Sequence, residues 1–469
     1  MTRTVAVTGA TGFIGRALVE TLVARGYSVV ALTRNVDTAS FPAAVSVRSF
    51  SPSEAAPDPG AFDGVDAVVH LAGEPVDGRW TSEKKSRIYD SRVAGSRMLV
   101  RSLAAASRKP EVLVCASAVG YYGSRADETL VERSAAGADF LSDVVRNWER
   151  ECVAAEDLGI RTVSLRTGIV LGNGGALTKM LAPFRLGIGG PFGSGKQFVP
   201  WIHLDDIVAL YIYALETQLR GPVNAVAPDY ATSTRFALAV GSALRRPAYL
   251  PAPALALRAA LGEFSQTILA SQLVLPAVAQ DAGFAWKYPR LETAMMAAID
   301  PGSQRRTTVR RFSSRQIVPG LIDRIFPFFA EAQNLESITP DKLRFEMLAS
   351  PRCMERGAQI EYRLRLRSVP MHWRTLIAQW KPPFRFVDVQ MHGPYAMWRH
   401  QHDFTPVDGG VRITDTVDYV LPFAPLGDSL IGRWVQKDVA DIFAFRREAI
   451  EKRFGWLDKP RVPLLAASR

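Results

Sequence analysis

The chain has 469 residues, 48% hydrophobic and 22% charged, a globular balance too long for one ordinary core, so two domains are expected. No apolar run approaches a membrane span, because Arg258 interrupts the most hydrophobic segment, Pro251 to Leu261. The net charge of +11 is uneven: 27 Lys and Arg face 18 Asp and Glu from Pro301 onward, against 30 and 28 before it, but the basic residues do not cluster, which argues against nucleic-acid binding.

The first element is the apolar run V-A-V-T from Val5 to Thr8, followed by Gly9, Gly12 and Gly15 and then a helical pattern through Ala17, Leu18, Thr21 and Leu22. Strand, glycine-rich turn and helix in that order make a phosphate site: a first glycine for the turn, a second for close approach of a pyrophosphate, a third for helix-on-strand packing. Tyr27 to Leu32 reads as the second strand, and Thr33-Arg34-Asn35 stands where a carboxylate would hold a ribose 2′-hydroxyl. An Arg there accommodates a 2′-phosphate, so NADP(H) is expected in preference to NAD(H); the alternative for Arg34 is a solvated surface charge. The first strand begins by Val5 and leaves no room for a signal peptide. The three cysteines, Cys115, Cys152 and Cys353, carry no C-x-x-C spacing, so buried thiols and a cytoplasmic location are expected.

Further strands are read at Val45 to Phe50, Asp66 to Leu71, Val112 to Cys115 and Arg161 to Leu165, alternating with helical patterns at Trp80 to Ala106 and Phe140 to Leu158. That alternation predicts an α/β, Rossmann-type doubly wound parallel sheet, with ligands gathered at the carboxyl ends of its strands.

The G-x-x-G-x-x-G spacing resembles the extended short-chain dehydrogenase/reductases. Taken with H-L-A-G-E-P, R-W-T, C-A-S-A-V-G-Y-Y-G, L-R-T-G-I-V-L-G, G-G-P-F-G-S-G-K-Q and W-I-H-L-D-D, the chain resembles an atypical branch known as epimerase family proteins, NAD-dependent epimerase/dehydratase-like. The likeness spans the first domain, residues 1–300, and includes a terminal segment at about 249–297. It implies that Gly9, Thr11, Gly12, Phe13, Ile14, Gly15, Thr33, Arg34 and Asn35 hold the nucleotide half of the cofactor. It also implies that Leu71, Ala72, Gly73, Glu74, Ala116, Ser117, Thr167 and Gly168 line the nicotinamide half, and that Lys196, Gln197 and His203 border the substrate. His203 reads equally as a core histidine beside a helix cap made by Asp205.

Pro301 to Arg306 reads as a linker, small and polar without periodicity. Beyond it, over 307–460, come a strand at Arg311 to Ile317, a short helix at Leu321 to Glu331 and a turn at Asn334 to Pro340. Alternating strands follow at Ile360 to Arg367, Met371 to Gln379, Arg385 to Met391, Met397 to Phe404 and Val411 to Leu421. A long helix, about Leu426 to Phe454, is expected to carry Leu430, Trp434, Val439, Phe443 and Ile450 on or near one stripe. F-P-F-F-A-E-A-Q-N-L-E-S-I-T-P, W-R-H-Q-H-D-F and D-T-V-D-Y-V-L-P-F resemble the START-like, polyketide cyclase/dehydrase superfamily, whose α+β helix-grip fold encloses an apolar cavity. The resemblance implies a lipophilic ligand. His400 and His402 share a strand face with Trp398 and Phe404, but no third ligand has a local spacing that supports a metal site, and none is expected.

Short-chain reductases commonly protonate a carbonyl with a tyrosine made acidic by a lysine four residues on. None of the twelve tyrosines has a lysine at that position, and the two places where the pair falls by alignment, Leu141 and Val145, are aliphatic. Ser117, Tyr121 and Tyr122 remain as catalytic candidates, the alternative being that they only pack and orient the nicotinamide. Two functions follow: an NADP(H)-dependent oxidoreductase or epimerase acting on a small molecule, or an NADP(H)-binding sensor that has lost catalysis. The missing pair favours the second, and Lys196-Gln197 with the nearby glycines the first.

Overall fold

Strands that are apolar on both faces must be covered on both faces, and the first part of the chain does this with seven of them. The computed structural model describes residues 3–37, 39–51, 58–300, 309–366, 369–395, 397–421 and 432–457. The chain divides into two compact units, Met1–Gln304 and Arg305–Arg469. The expected linker, 301–306, lies outside the described residues.

In the first unit the strands are β1 (Thr4–Thr8), β2 (Ser28–Thr33), β3 (Val45–Ser49), β4 (Ala67–His70), β5 (Val112–Ala118), a short β6 (Thr129–Leu130), β7 (Arg161–Thr167), β8 (Ile169–Leu171), β9 (Trp201–His203), β10 (Gly221–Ala225) and β11 (Leu273–Val274). The main sheet has the order β10-β7-β5-β4-β1-β2-β3 and every pairing in it is parallel. Strand order reverses between β1 and β4, so the crevice at the carboxyl ends of those two strands is the topological switch point. Short pairs β6–β11 and β8–β9 flank the sheet.

The helices that matter for the site are α1 (Phe13–Ala24), α2 (Ser82–Ala105), α3 (Phe140–Val153), α4 (Gly175–Arg185) and α5 (Leu204–Glu216). Thr81 caps α2 by accepting from the Lys84 amide at 3.1 Å, and Asp139 caps α3 by accepting from the Ser142 amide at 2.8 Å. One layer of core joins Val5, Val7, Leu18 and Leu22 to Ile207, Leu210 and Tyr211; the other joins Ala6, Val68 and Leu113 to Leu99, Leu103 and Trp148.

The second unit holds one antiparallel sheet of seven strands: β12 (Arg310–Pro319), β13 (Glu346–Ala349), β14 (Gln359–Leu366), β15 (Val369–Lys381), β16 (Arg385–His392), β17 (Met397–Val407) and β18 (Gly410–Val420), in the order β12-β18-β17-β16-β15-β14-β13. The sequence reading missed β13, a four-residue edge strand with no buried side chain. The short helix Ile322–Ala330 and the long helix Gly432–Phe454 accompany the sheet. Of the expected stripe on the long helix, Val439, Phe443 and Ile450 are buried, Leu430 lies outside the described residues, and Trp434 is 62% exposed. Five residues before Val439 is well over a quarter-turn off its face at 3.6 residues per turn, so Val435 packs there instead. Among the described residues no helix is long and apolar enough to cross a membrane.

Candidate functional site

The turn after β1 is built for an anion. Gly9 has φ +65°, and a Cβ on it would lie 2.8 Å from the Leu71 carbonyl carbon; a Cβ on Gly15 would lie 2.2 Å from the Gly9 oxygen. Both positions therefore require glycine for α1 to sit against the turn. At Gly12 a Cβ would meet only the Gly9 oxygen, so the space ahead of α1 is open. Gly12 caps the helix without any side-chain hydrogen bond, and the first turn carries no acidic residue, which leaves backbone N–H groups for a ligand to use. Thr11 is exposed there, while Phe13 and Ile14 are half-buried. The Phe13 ring lies over Gly172, Gly174 and Gly175 at the start of α4, a glycine bed the sequence reading did not assign to this site. Thr33 closes β2, with Arg34 and Asn35 exposed beyond it and no carboxylate among the three.

The opposite lip is Leu71 to Glu74. The Leu71 and Ala72 amides donate to Thr8 Oγ1 at 3.1 and 3.3 Å, and Thr8 Oγ1 also lies 2.7 Å from His70 Nδ1. His70 is fully buried, and burial pulls its pKa down to about 4, so the ring is neutral at physiological pH. Because the hydroxyl already accepts two N–H bonds, its proton points at Nδ1, and His70 Nε2–H then donates to Ser96 Oγ at 3.1 Å. Arg92 donates to the Glu74 carbonyl at 2.9 Å, the Glu74 amide to Ser91 Oγ at 3.0 Å, and Lys84 to the Glu74 carboxylate at 2.7 Å. Gly73 lies beside the Arg92 guanidinium. On the far side, Ala116 and Ser117 are the residues of β5 just before Ala118 ends it, and Thr167 closes β7, with Gly168 set against the Pro200 carbonyl.

Two of the catalytic candidates are tied into one buried network. Ser117 Oγ donates to Glu149 Oε1 at 2.5 Å, and Arg166 holds Glu149 through two bonds of 2.8 Å. Arg166 also donates to the Tyr122 hydroxyl at 3.0 Å, and that hydroxyl donates to Asn224 Oδ1 at 2.6 Å. Tyr122 is 0% exposed, and burial pushes its pKa up to about 12, so it is a poor proton donor or acceptor at neutral pH. The Tyr121 ring, half-buried, sits with the Arg166 guanidinium 3.5 Å from its centroid. Where a tyrosine–lysine pair is commonly found, Leu141 and Val145 pack against Gly120. Glu149, Arg166 and Asn224 were not singled out from sequence; the bonds join residues up to 102 positions apart, and no local spacing signals them.

On the expected substrate side, Lys196 is exposed and Gln197 is buried, its amide nitrogen donating to the Phe192 carbonyl at 2.8 Å. His203 is itself the cap of α5: its Nδ1 accepts from the Asp205 amide at 3.1 Å, whereas Asp205 pairs with Lys287 at 2.7 Å. The expected cap made by Asp205 is therefore corrected to one made by His203, whose ring also faces Tyr288 at 4.0 Å. Burial lowers the His203 pKa to about 4.

The second unit holds a partly open cavity of about 160 Å³ lined by the sheet, the short helix and the long helix. Aromatic and aliphatic side chains dominate its wall, among them Phe328, Phe329, Tyr362, Trp373 and Phe443. Asp388, His400 and His402 also line it. The third group that no local spacing offered comes from strand register: Asp388 on β16 is opposite His400 on β17, and His402 is opposite Asp415 on β18.

Residues 5–226 match the NAD dependent epimerase/dehydratase family, and residues 252–298 match a domain of unknown function, DUF1731. The chain is 40% identical over 302 residues to the chloroplastic epimerase family protein SDR39U1 homolog of Arabidopsis thaliana, covering 63% of this chain and 86% of that one. It is 37% identical over 297 residues to epimerase family protein YfhF of Bacillus subtilis, covering 63% of this chain and 97% of that one. Among solved structures, human epimerase family protein SDR39U1 with NADPH aligns at a TM-score of 0.56 and 33% identity, over 63% of this chain and 99% of that one.

Proposed function

Since the chain belongs to the NAD-dependent epimerase/dehydratase family, we propose that its first unit binds NADP(H) and acts on a small molecule as an oxidoreductase or epimerase. The observation that carries this reading is the uncapped α1 N-terminus facing open space at Gly12, beside a β2 end that offers Arg34 and no carboxylate. The human relative solved with NADPH supports the same cofactor. When bound, the nicotinamide gives or takes a hydride. Gly9, Thr11, Gly12, Phe13, Ile14 and Gly15 form the pyrophosphate cradle, and Thr33, Arg34 and Asn35 take the adenosine phosphate. Leu71 to Glu74, Ala116, Ser117, Thr167 and Gly168 border the nicotinamide, and Lys196, Gln197 and His203 the substrate. Tyr121 is the tyrosine left to deliver a proton, since Tyr122 is committed to Arg166 and Asn224.

A second reading, an NADP(H)-binding sensor without turnover, is favoured by Ser117, whose hydroxyl is spent on Glu149, and by Leu141 and Val145 in place of the pair. We also propose that the second unit is START-like and holds a lipophilic molecule in its cavity.

Titration of the full chain with NADPH tests the cofactor reading: saturable binding is expected, and Gly12→Val abolishes it while the protein stays folded. Binding that survives Gly12→Val would place the nucleotide elsewhere. Panels of carbonyl compounds and nucleotide sugars then separate the readings. An oxidoreductase shows net oxidation of NADPH or reduction of NADP⁺ with one of them, an epimerase interconverts one with no net change in the cofactor, and either slows about 10²–10⁴-fold on Tyr121→Phe; a sensor binds NADPH and turns over none.

A further inference from the structure

Two buried imidazoles lie side by side with buried Asp415 and half-buried Asp388 in the second unit. His400 Nδ1 lies 3.4 Å and His402 Nε2 lies 3.0 Å from the same oxygen, Asp388 Oδ2. The other nitrogen of each ring faces Asp415 Oδ1, His400 Nε2 at 2.9 Å and His402 Nδ1 at 2.8 Å. A neutral imidazole has one N–H and one lone pair, while an ionised carboxylate only accepts. His400 Nε2 hydrogen-bonds Asp415 Oδ1 at 2.9 Å and His402 Nε2 hydrogen-bonds Asp388 Oδ2 at 3.0 Å, so a divalent cation taking the place of the proton between His402 and Asp388 would meet His402 Nε2, Asp388 Oδ2 and His400 Nδ1 together. His402 Nδ1 is buried and makes no hydrogen bond despite its short approach to Asp415, so hydrogen bonding alone does not satisfy the cluster.

We propose that Asp388, His400 and His402 bind one divalent transition-metal ion of the zinc or iron(II) class, with Asp415 orienting the His400 imidazole from behind. One ligand atom from each of the three lies within 4.8 Å of the others. Ligands sharing a zinc at ~2.0–2.2 Å stand about 3.4 Å apart, so the two separations to Asp388 already fit and rotation of a ring closes the third. Two imidazoles and one carboxylate are the donor set of sites that keep coordination positions open. Asp415 accepts from His400 Nε2 at 2.9 Å, which leaves His400 Nδ1 free to bind. Asp388, His400 and His402 line the cavity whereas Asp415 does not, so the open positions face the cavity and would meet an oxygen or nitrogen of whatever enters it. The site stands whether or not an apolar molecule fills the cavity, and it is separate from the nucleotide site.

The test uses the full chain, stripped with chelator and titrated with Co²⁺. One equivalent should produce ligand-field absorption that Zn²⁺ abolishes, and Asp388→Asn and His402→Gln should each weaken binding at least tenfold. Asp415→Asn should weaken it less and change the spectrum. A folded wild-type protein that gives no ligand-field bands overturns the proposal, as does Co²⁺ binding equal in wild type and both ligand variants. Should a variant not fold, pulsed electron paramagnetic resonance of the Cu²⁺-loaded wild type decides: coupling to two imidazole nitrogens is expected, and fewer than two overturns the site.

Discussion

Thr8 Oγ1 and His70 Nδ1 meet at 2.7 Å at the carboxyl ends of β1 and β4, so one hydroxyl, which also accepts from the Leu71 and Ala72 amides, ties the two strand ends together. Thr8→Val keeps the shape and removes the hydroxyl, leaving the Ala72 amide and His70 Nδ1 without that partner. The expected loss is about 2–3 kcal/mol, read as a lower melting temperature, with Thr8→Ser largely restoring it. An unchanged melting point for Thr8→Val would mean that the strand ends are held by packing alone.

Acid should loosen the first unit before its carboxylates titrate. His70 and His203 both have pKa values lowered to about 4 by burial, whereas an unfolded histidine titrates near 6.5. The unfolded chain therefore takes up protons first, and the stability present above about pH 6.5 is lost as pH falls from there through about 4. For fully buried His70 the effect is about 3 kcal/mol. Urea unfolding at a series of pH values measures it, and His70→Gln should flatten the slope in that window.

Arg34 stands exposed at the end of β2. Arg34→Ala should weaken NADPH about 10–100-fold by removing a charge-assisted contact to the 2′-phosphate, with NADH unchanged. Calorimetric titration with both cofactors reads the difference; equal affinities in the native protein count against the assignment.

Burial separates ion pairs that matter from those that do not. Glu149 and Arg166 have side chains 13% and 3% exposed, so Glu149→Ala leaves an uncompensated guanidinium and should cost about 3–5 kcal/mol. Lys179 and Asp77, 64% and 43% exposed, make a similar contact, yet Lys179→Ala should change stability by about 0.5 kcal/mol or less. Chemical denaturation of the two variants compares them directly.

Residues 305–469, expressed alone, should unfold cooperatively and bind a hydrophobic dye in their cavity, with Tyr362→Ala altering the dye signal. A folded fragment that binds neither dye nor fatty-acid-like probes removes the lipophilic-ligand reading.

The Rossmann half was legible because its signals are local: Gly9, Gly12 and Gly15 follow β1 directly, and the alternation of apolar strands with helices sets the sheet. The described strands and helices of the second unit also followed from period, apart from β13 and the Trp434 position, while the expected helix start at Leu426 lies outside the described residues. What escaped was non-local. Glu149 approaches Ser117 from 32 residues away, and Asp388 and Asp415 reach the histidines through antiparallel register, which hydrophobic pattern alone does not fix to the residue. His203 was read as neighbour to a cap because Asp is the commoner capping residue; the structure gives the cap to its ring nitrogen.

The pairing of Asp388 with His400 and of His402 with Asp415 also bears on how the sheet finds its alignment. Sliding β17 by one residue turns both imidazoles to the opposite face, an error that apolar alternation already rejects. Sliding it by two keeps every face correct. Then the charged groups object: moved one way, Asp415 is left opposite Phe404, and moved the other, Asp388 is left opposite Trp398. Either mistake strands a buried carboxylate beside an aromatic ring, a penalty of several kcal/mol. These four side chains thus proofread the threading of β17, adding to the two-residue turn at Asp408-Gly409 a check that greasy and polar stripes cannot make.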